Sequence, residues 1–353
     1  MIGLNGASRG VTVAVDAMGG DFAPAEILKG AIEAHRQGVE IVLVGPHEIV
    51  RAALDELEAD LPVRHATEVI AMDEPVKQAF RRVDSSLRRA TDLVSAGEAS
   101  AVVSCGNSAA IMAIAKHAWG ALPGIERPAF GGYLPTRGGL VFVLDIGANP
   151  TVHSSNLLQF AVMGDVFVRL TSGVDEPRVA LLSFGTEDSK GTKEVKEANE
   201  ALRKLDLNFV GNVEGNHVFE GNVDVVVCDG FSGNVLLKGA EGVATEIFDL
   251  LKAELSRDLW SKVAAAALMP AFRKIKRRVD YQEYGGVPVL GVNQVMINCH
   301  GRSEAKAVTN AIMLAAKLGR GHLPQRIAEA LQQDEVEVGR RRRIVRALHL
   351  GHE

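Results

Sequence analysis

A chain of 353 residues that is 47% hydrophobic can bury a large core, enough for one large α/β domain or two intimately joined ones. Its net charge of -5 argues against nucleic acid as the main partner, because a phosphate backbone demands concentrated basic surface. Cys105, Cys228 and Cys299 have neither zinc-ligand nor disulfide spacing, which fits a reducing compartment and predicts no metal site.

Residues 1–10 lack the apolar core of a signal peptide. No uncharged apolar run reaches the roughly 18 residues needed to span a bilayer, so the expectation is a soluble, cytoplasmic protein that at most sits on a membrane surface. Residues 11–15 read as a strand ending in Asp16-Ala-Met-Gly-Gly-Asp21, and Pro24 opens a helix to about residue 36. A strand over 41–44 and an amphipathic helix over 49–57 complete a parallel βαβ unit. The charge-dense stretch 73–89 reads as a mobile connection leading into a helix, its arginines on a solvated face or, alternatively, toward substrate. Residues 101–104 are strand again, and Cys105, Gly106, Asn107 and Ser108 turn it into a helix over 109–119. Prolines and glycines punctuate a long connection over 123–135.

A strand over 140–144 ends in Asp145-Ile-Gly-Ala-Asn149 before a helix over 157–170. The next strand, 179–183, leads through Phe184, Gly185, Thr186, Glu187, Asp188, Ser189 and Lys190 to a charged helix over 193–204. The most informative stretch follows. Val225, Val226 and Val227 meet Cys228-Asp-Gly-Phe-Ser-Gly-Asn234 and then an apolar, helix-compatible run, which reads as a buried parallel strand turning directly into a helix. Such a turn offers free backbone N–H groups to an anion, phosphate above all. The other glycine turns repeat this grammar at strand ends, where open α/β sheets keep their ligands. They are expected to wall one site.

Segment 241–280 differs in kind. Leu259, Trp260, Val263, the alanines Ala264 to Ala267, Leu268 and Met269 make an apolar cap, followed by Arg273, Lys274, Lys276, Arg277 and Arg278. That composition fits a helical segment lying on anionic lipid and equally a dimer interface with a basic face. A strand over 289–292, a lead over 293–298 into Cys299, His300 and Gly301, and a helix over 304–318 complete a catalytic domain spanning 1–340. The tail, 341–353, with Arg340 at its edge and Arg341, Arg342, Arg343 and Arg346 within it, reads as a solvated basic extension.

No Gly-x-Gly-x-x-Gly follows the first strand and no P-loop occurs, so no nucleotide cofactor is expected. Lys190 has the charge to pair with a phosphate and stabilise a developing oxyanion, with Glu187 and Asp188 to position it; the alternative is an exposed lysine on a polar loop. Asn234, Asn107 and Asn149 are neutral donors suited to a carbonyl or phosphoryl oxygen. Ser108 stands in a turn similar to a nucleophile elbow, with Ala110 replacing the final glycine; the alternative is a helix cap. Asp16, Asp145 and Asp229 close strands as bases or as turn acceptors, and His300 reads as structural.

Taken together, Asp16-Ala-Met-Gly-Gly-Asp21, Asp84-Ser-Ser86, Leu144-Asp-Ile-Gly-Ala-Asn149, Leu158-Gln-Phe-Ala-Val-Met-Gly164, Val225-Val-Val-Cys-Asp-Gly-Phe231 with Gly233-Asn-Val235, and Glu283-Tyr-Gly-Gly286 with His300-Gly301 resemble the phosphate acyltransferases of bacterial phospholipid synthesis. The resemblance covers nearly the whole chain in order. It implies a Rossmann-like α/β/α sandwich with a mostly parallel sheet, related to phosphotransacetylases and isopropylmalate dehydrogenases, working as a homodimer without a cofactor. The implied reaction moves a long-chain acyl group from acyl carrier protein to inorganic phosphate, giving acyl phosphate, with the downstream glycerol-3-phosphate acyltransferase as a further partner. Lys190 and Asn234 fall on the family's active-site positions. Gly19, Gly20, Asn107, Ser108, Gly147, Asn149, Gly185, Glu187, Asp229 and Gly233 are then the phosphate-binding and substrate-binding set. Val263, Ala267 and Leu268 occupy the place of a helical hairpin that meets the inner face of the cell membrane. Cys105-Gly-Asn-Ser-Ala109 departs from the usual Ala-Gly-Asn-Thr-Gly, which argues against Cys105 as a nucleophile and keeps a hydroxyl at Ser108. A phosphotransacylase using acyl-CoA, and a non-catalytic membrane scaffold for a partner acyltransferase, are the rival readings.

Overall fold

Alternation along the valine-rich strands sends neighbouring side chains to opposite faces of a sheet, and in the computed structural model, which describes residues 10–279 and 281–333, both faces are buried. Val13 and Val15 join one core while Ala14 joins another, and Val225 and Val227 part from Val226 in the same way. Two covered faces account for the near-continuous apolar runs. The tail from Arg340 to Arg346 lies outside the described residues, as do the side chains of Leu259, Val263, Lys276, Arg277 and Arg278.

The first half contains β1 (Thr12–Asp16), α1 (Ala25–Arg36), β2 (Glu40–Gly45), α2 (His47–Glu56), β3 (Val63–His65), α3 (Val76–Ala79), α4 (Ser86–Ser95), β4 (Ala101–Ser104) and α5 (Ser108–Trp119). The second contains β5 (Ala129–Pro135), β6 (Leu140–Leu144), α6 (Ser154–Ser172), β7 (Val179–Ser183), α7 (Lys193–Leu202), β8 (Phe209–Glu214), β9 (Val225–Val227), α8 (Gly230–Leu255) and α9 (Leu259–Val279). The chain then returns to the first half through β10 (Val287–Leu290), β11 (Val295–Asn298) and α10 (Ala305–Arg320).

These strands form an 11-stranded sheet in the order β3-β2-β1-β4-β11-β10-β5-β6-β9-β7-β8. The first five in that order are mutually parallel, as are the last four. Between them the direction reverses at β11/β10, β10/β5 and β5/β6, so the two parallel halves run in opposite senses. Helices α1, α6 and α10 cover one face; α4 and α5 cover the other. The result is the expected α/β/α sandwich with a mostly parallel sheet.

Four strands escaped the sequence reading, among them β11 (Val295–Asn298), which lies inside what read as a lead into Cys299. β5 lies inside what read as a connection, because Gly131 and Gly132 resemble loop residues. Their real function is close packing: a Cβ on Gly131 would stand 2.1 Å from the Phe142 ring, and one on Gly132 would stand 2.7 Å from Ile146. β8 carries Gly211 at φ 101° beside a register shift against β7, which breaks its alternation. β3 is three residues long and too short to show a period.

The stretch 73–89 is tied down rather than loose. Glu74 accepts from Arg82 Nε at 2.8 Å, and Asp84 accepts from Thr67 N at 3.0 Å, Thr67 Oγ1 at 2.6 Å and Arg89 Nε at 2.5 Å. The Thr67 hydroxyl, then Arg89, hold the Asp84 carboxyl down at about 2 from an ordinary 3.8. A lowered folded-state value gives stability that is complete above pH ~4 and is lost as pH falls through ~2. Urea midpoints measured from pH 5 to pH 2 are therefore expected to fall less steeply for Asp84→Asn than for the parent chain; identical slopes would deny the carboxylate this role.

Candidate active site

Two buried aspartates build the scaffold of the site, one in each half of the sheet. Asp16, at the end of β1, accepts from Ser104 Oγ at 2.7 Å and Met18 N at 3.2 Å, and Ser104 Oγ accepts in turn from Gly106 N at 3.1 Å. Asp145, after β6, accepts from Gly147 N at 3.0 Å, Ala148 N at 2.9 Å, and Asn149 N and Nδ2 at 2.7 Å and 2.9 Å. Burial pushes both carboxyls up, against the pull of those donors. Both aspartates therefore shape turns, as the acceptor reading expected.

Those turns require their glycines. A Cβ on Gly19 would stand 2.7 Å from Asp16 Oδ2, and Gly20, at φ 102°, would put one 2.9 Å from the Gly301 carbonyl. Gly233 lies so close to the end of β6 that a Cβ would reach 1.9 Å from the Asp145 carbonyl oxygen. This contact draws the first turn of α8 onto the Asp145 loop. Asp229 caps that helix, accepting from Ser232 N and Oγ at 2.8 Å each.

A cavity of about 480 Å³ opens where the two halves meet. Ser108 enters from the start of α5, Asn298 from the end of β11, His300 and Arg302 from the loop after β11, and Gly147 and Asn234 from the second half. Asn298 Nδ2 donates to Ser108 Oγ at 2.8 Å. An amide donor cannot take the serine proton, so this geometry leaves the Ser108 O–H free to point at a ligand and gives no base for an elbow-type nucleophile. Asn298 Oδ1 is buried without a partner among the described residues. Nδ1 of His300 accepts from Arg302 N at 3.1 Å, which puts the proton of a neutral ring on Nε2. The Arg302 guanidinium has no hydrogen bond or ion pair among the described residues, and neither has the Asn234 carboxamide. Lys238, also at the wall, pairs with Glu241 at 2.8 Å.

The other expected site residues divide. Asn107 caps α5 through Ala110 N at 3.1 Å and donates to the carbonyls of Met72 and Glu74 at 2.9 Å and 3.0 Å, so its amide is committed within the chain. Asn149 donates to Pro128 O at 2.8 Å and receives Gly230 N at 2.7 Å on its carbonyl. Lys190, Gly185 and Glu187 pack on one another: a Cβ on Gly185 would stand 2.7 Å from Lys190 Cγ and 3.0 Å from Glu187 Oε2. They do not line the cavity. Their loop follows β7, which pairs directly with β9, and the exposed Lys190 ammonium has no partner among the described residues. Ala267 and Leu268 are exposed on α9, Leu268 at 51%. No described helix is long and apolar enough to cross a membrane.

Sequence reasoning missed Asn298 and Arg302 and set His300 aside. Asn298 ends a short strand, and His300 and Arg302 follow it; the strand's apolar run carries no sign of what lies beside it. Cys105 has the opposite outcome: its hydrogen bond with Cys299, together with burial, pushes the thiol well up, which removes the thiolate a nucleophile needs.

The chain is similar to known proteins. A family described as "Fatty acid synthesis protein" matches residues 11–326. The phosphate acyltransferase of Pelotomaculum thermopropionicum is 46% identical over 329 residues, covering 92% of this chain and 96% of its own length. That of Trichlorobacter lovleyi is 46% identical over 327 residues, covering 91% and 95%. Among solved structures, a phosphotransacetylase from Streptococcus pyogenes superposes with a TM-score of 0.64 at 18% identity, over 89% of this chain and 95% of that one, a likeness of fold. With relatives this similar over nearly its whole length, the chain belongs to the phosphate acyltransferase family of enzymes.

Proposed function

We propose that this protein transfers a long-chain fatty acyl group from acyl carrier protein to inorganic phosphate, forming acyl phosphate for phospholipid synthesis. The observation that carries the reading is the donor set around one cavity. Arg302, Ser108 and Asn234 line a space with room for a tetrahedral anion and a thioester, and such donors are those a phosphate requires. A phosphate oxygen attacks the thioester carbonyl carbon, a C–O bond forms, the C–S bond breaks, and the carrier thiolate leaves with the electron pair. Asn234 Nδ2 donates to the carbonyl oxygen as it gains charge, and Arg302 with the Ser108 hydroxyl holds the phosphate in line. No acyl-enzyme forms.

Lys190 joins from the side in this reading. Its ammonium, without a partner among the described residues and on the loop beside the turn of Asn234, swings over the phosphate and offsets its charge. Lys190→Ala is expected to lower kcat/KM for phosphate by tenfold or more, the scale of one charge-assisted contact of about 1.5–3 kcal/mol. Parent-like turnover at low phosphate would remove Lys190 from the site.

The exposed apolar residues of α9, among them Trp260, Leu268 and Met269, support the hairpin as the contact with the inner face of the cell membrane. Homodimer formation, and delivery of product to a glycerol-3-phosphate acyltransferase, belong to the same reading. The assay that tests the reaction is release of carrier thiol from palmitoyl-acyl carrier protein, with and without phosphate, alongside detection of acyl phosphate. Thiol release that needs phosphate and matches acyl phosphate is the expected result. Release without phosphate would mark a hydrolase, and turnover of acyl-CoA alone would replace the carrier protein as donor.

A further inference from the structure

A second cavity, about 600 Å³, runs along α8. Its helix wall carries Val235, Leu236, Gly239, Ala240, Ala244 and Ile247, spaced at one helix face. Leu134 and Pro135 of β5 and Phe219 close the other side. The groove shares Tyr133, Leu237, Glu241 and Tyr284 with the reaction cavity, so the two adjoin. The single carboxylate at the junction, that of Glu241, is already paired with Lys238 at 2.8 Å. Polarity therefore falls from the Asn234 end, rich in hydrogen-bond donors, to an aliphatic far end at Ile247.

We propose that this groove holds the acyl chain of the substrate, with the thioester carbonyl at Asn234 and the methyl end toward Ile247; the proposal rests on the acyl-transfer reading above. Its polarity gradient matches a molecule with one polar reacting end and a long hydrocarbon. The span matches as well: from Asn234 to Ile247 the helix rises roughly 20 Å at 1.5 Å per residue, the scale of an extended long-chain acyl group. Small residues make the trough. Gly239, Ala240 and Ala244 leave the space between the larger side chains, and a Cβ added at Gly239 would meet nothing within 4 Å.

The position of a block along the helix should then set the longest chain accepted. Gly239→Leu fills the trough roughly 7 Å from Asn234, and Ala244→Leu roughly 15 Å from it. Leucine is a strong helix former, so Gly239→Leu also favours α8. Each methylene removed from water is worth about fourfold, and displacing two or more changes selectivity at least tenfold. For Gly239→Leu the ratio of kcat/KM for palmitoyl-acyl carrier protein over hexanoyl-acyl carrier protein is expected to fall at least tenfold. For Ala244→Leu the palmitoyl to dodecanoyl ratio falls instead. Fluorescence titration of full-length protein with cis-parinaric acid reads the groove without turnover, and Gly239→Leu is expected to weaken that binding at least tenfold.

Equal losses on all chain lengths, or unaltered ratios and binding, would overturn the groove. A change in molar mass by light scattering with unaltered ratios would assign this face to a second copy instead. Parent protein that binds parinarate, weakened by Gly239→Leu, yet makes no acyl phosphate from any donor would keep the groove and overturn the acyl-transfer reading.

Discussion

Asn234→Ala is expected to lower kcat for acyl phosphate formation by about 10²–10³, the loss seen when one donor to a developing oxyanion is removed. The side chain projects into the cavity from the first turn of α8, opposite Gly147, where a Cβ would stand 3.8 Å from the Asn234 carboxamide oxygen. It has no hydrogen bond to any described residue, so truncation breaks nothing inside the fold. The urea midpoint should remain that of the parent chain while kcat falls and KM for phosphate changes little. Such a split is what separates a group acting in the transition state from one that binds the ground state. A variant that keeps its kcat would move the carbonyl away from Asn234 and leave Arg302, Ser108 and His300 as the donors to test.

Gly233→Ala is expected to have the larger structural effect. The added methyl would stand 1.9 Å from the Asp145 carbonyl oxygen and 2.9 Å from Cys228 Sγ. Neither neighbour can retreat cheaply. Asp145 N is bonded to the Cys228 carbonyl at 3.1 Å, and the Asp145 carboxylate organises the loop that follows. Overpacking of a well-filled site costs about 1–3 kcal/mol and sometimes more; contact this short with backbone belongs at the upper end. Loss of about 3 kcal/mol or more of unfolding free energy in urea titration, together with activity, is the expected result. Gly239→Ala provides the comparison. It lies in the same helix over open space, and it is expected to stabilise by about 0.5–1 kcal/mol through helix propensity. Similar behaviour of the two variants would show that close approach at Gly233 is not what joins α8 to β6.

The contrast between those glycines marks what local sequence can carry. The valine runs of β1, β4, β6, β7 and β9 were legible because burial on both faces leaves a continuous apolar signal. The turns after them were legible because small residues and helix caps have local causes, and Asn234 was found at the end of one such turn. Gly131 and Gly132 were not legible as strand, since the reason for their lack of side chains is Phe142 and Ile146 across the sheet. A glycine reports that something is close, not what.

The sequence by itself determined the α/β layering, the glycine turns at strand ends and the family to which the chain belongs. Tertiary structure alone decided which turns meet. The sheet reverses direction at β10 and β5, and the return of β11 to the first half sets Asn298 against Ser108, 190 residues away in the chain. That pairing brings His300 and Arg302 to the cavity with Asn234, whereas Lys190 stays on a neighbouring loop. Periodicity records which face of an element is buried; it holds no record of which distant strand lies beside it. The reacting groups are set by those neighbours, through register and packing that form only when the whole sheet assembles.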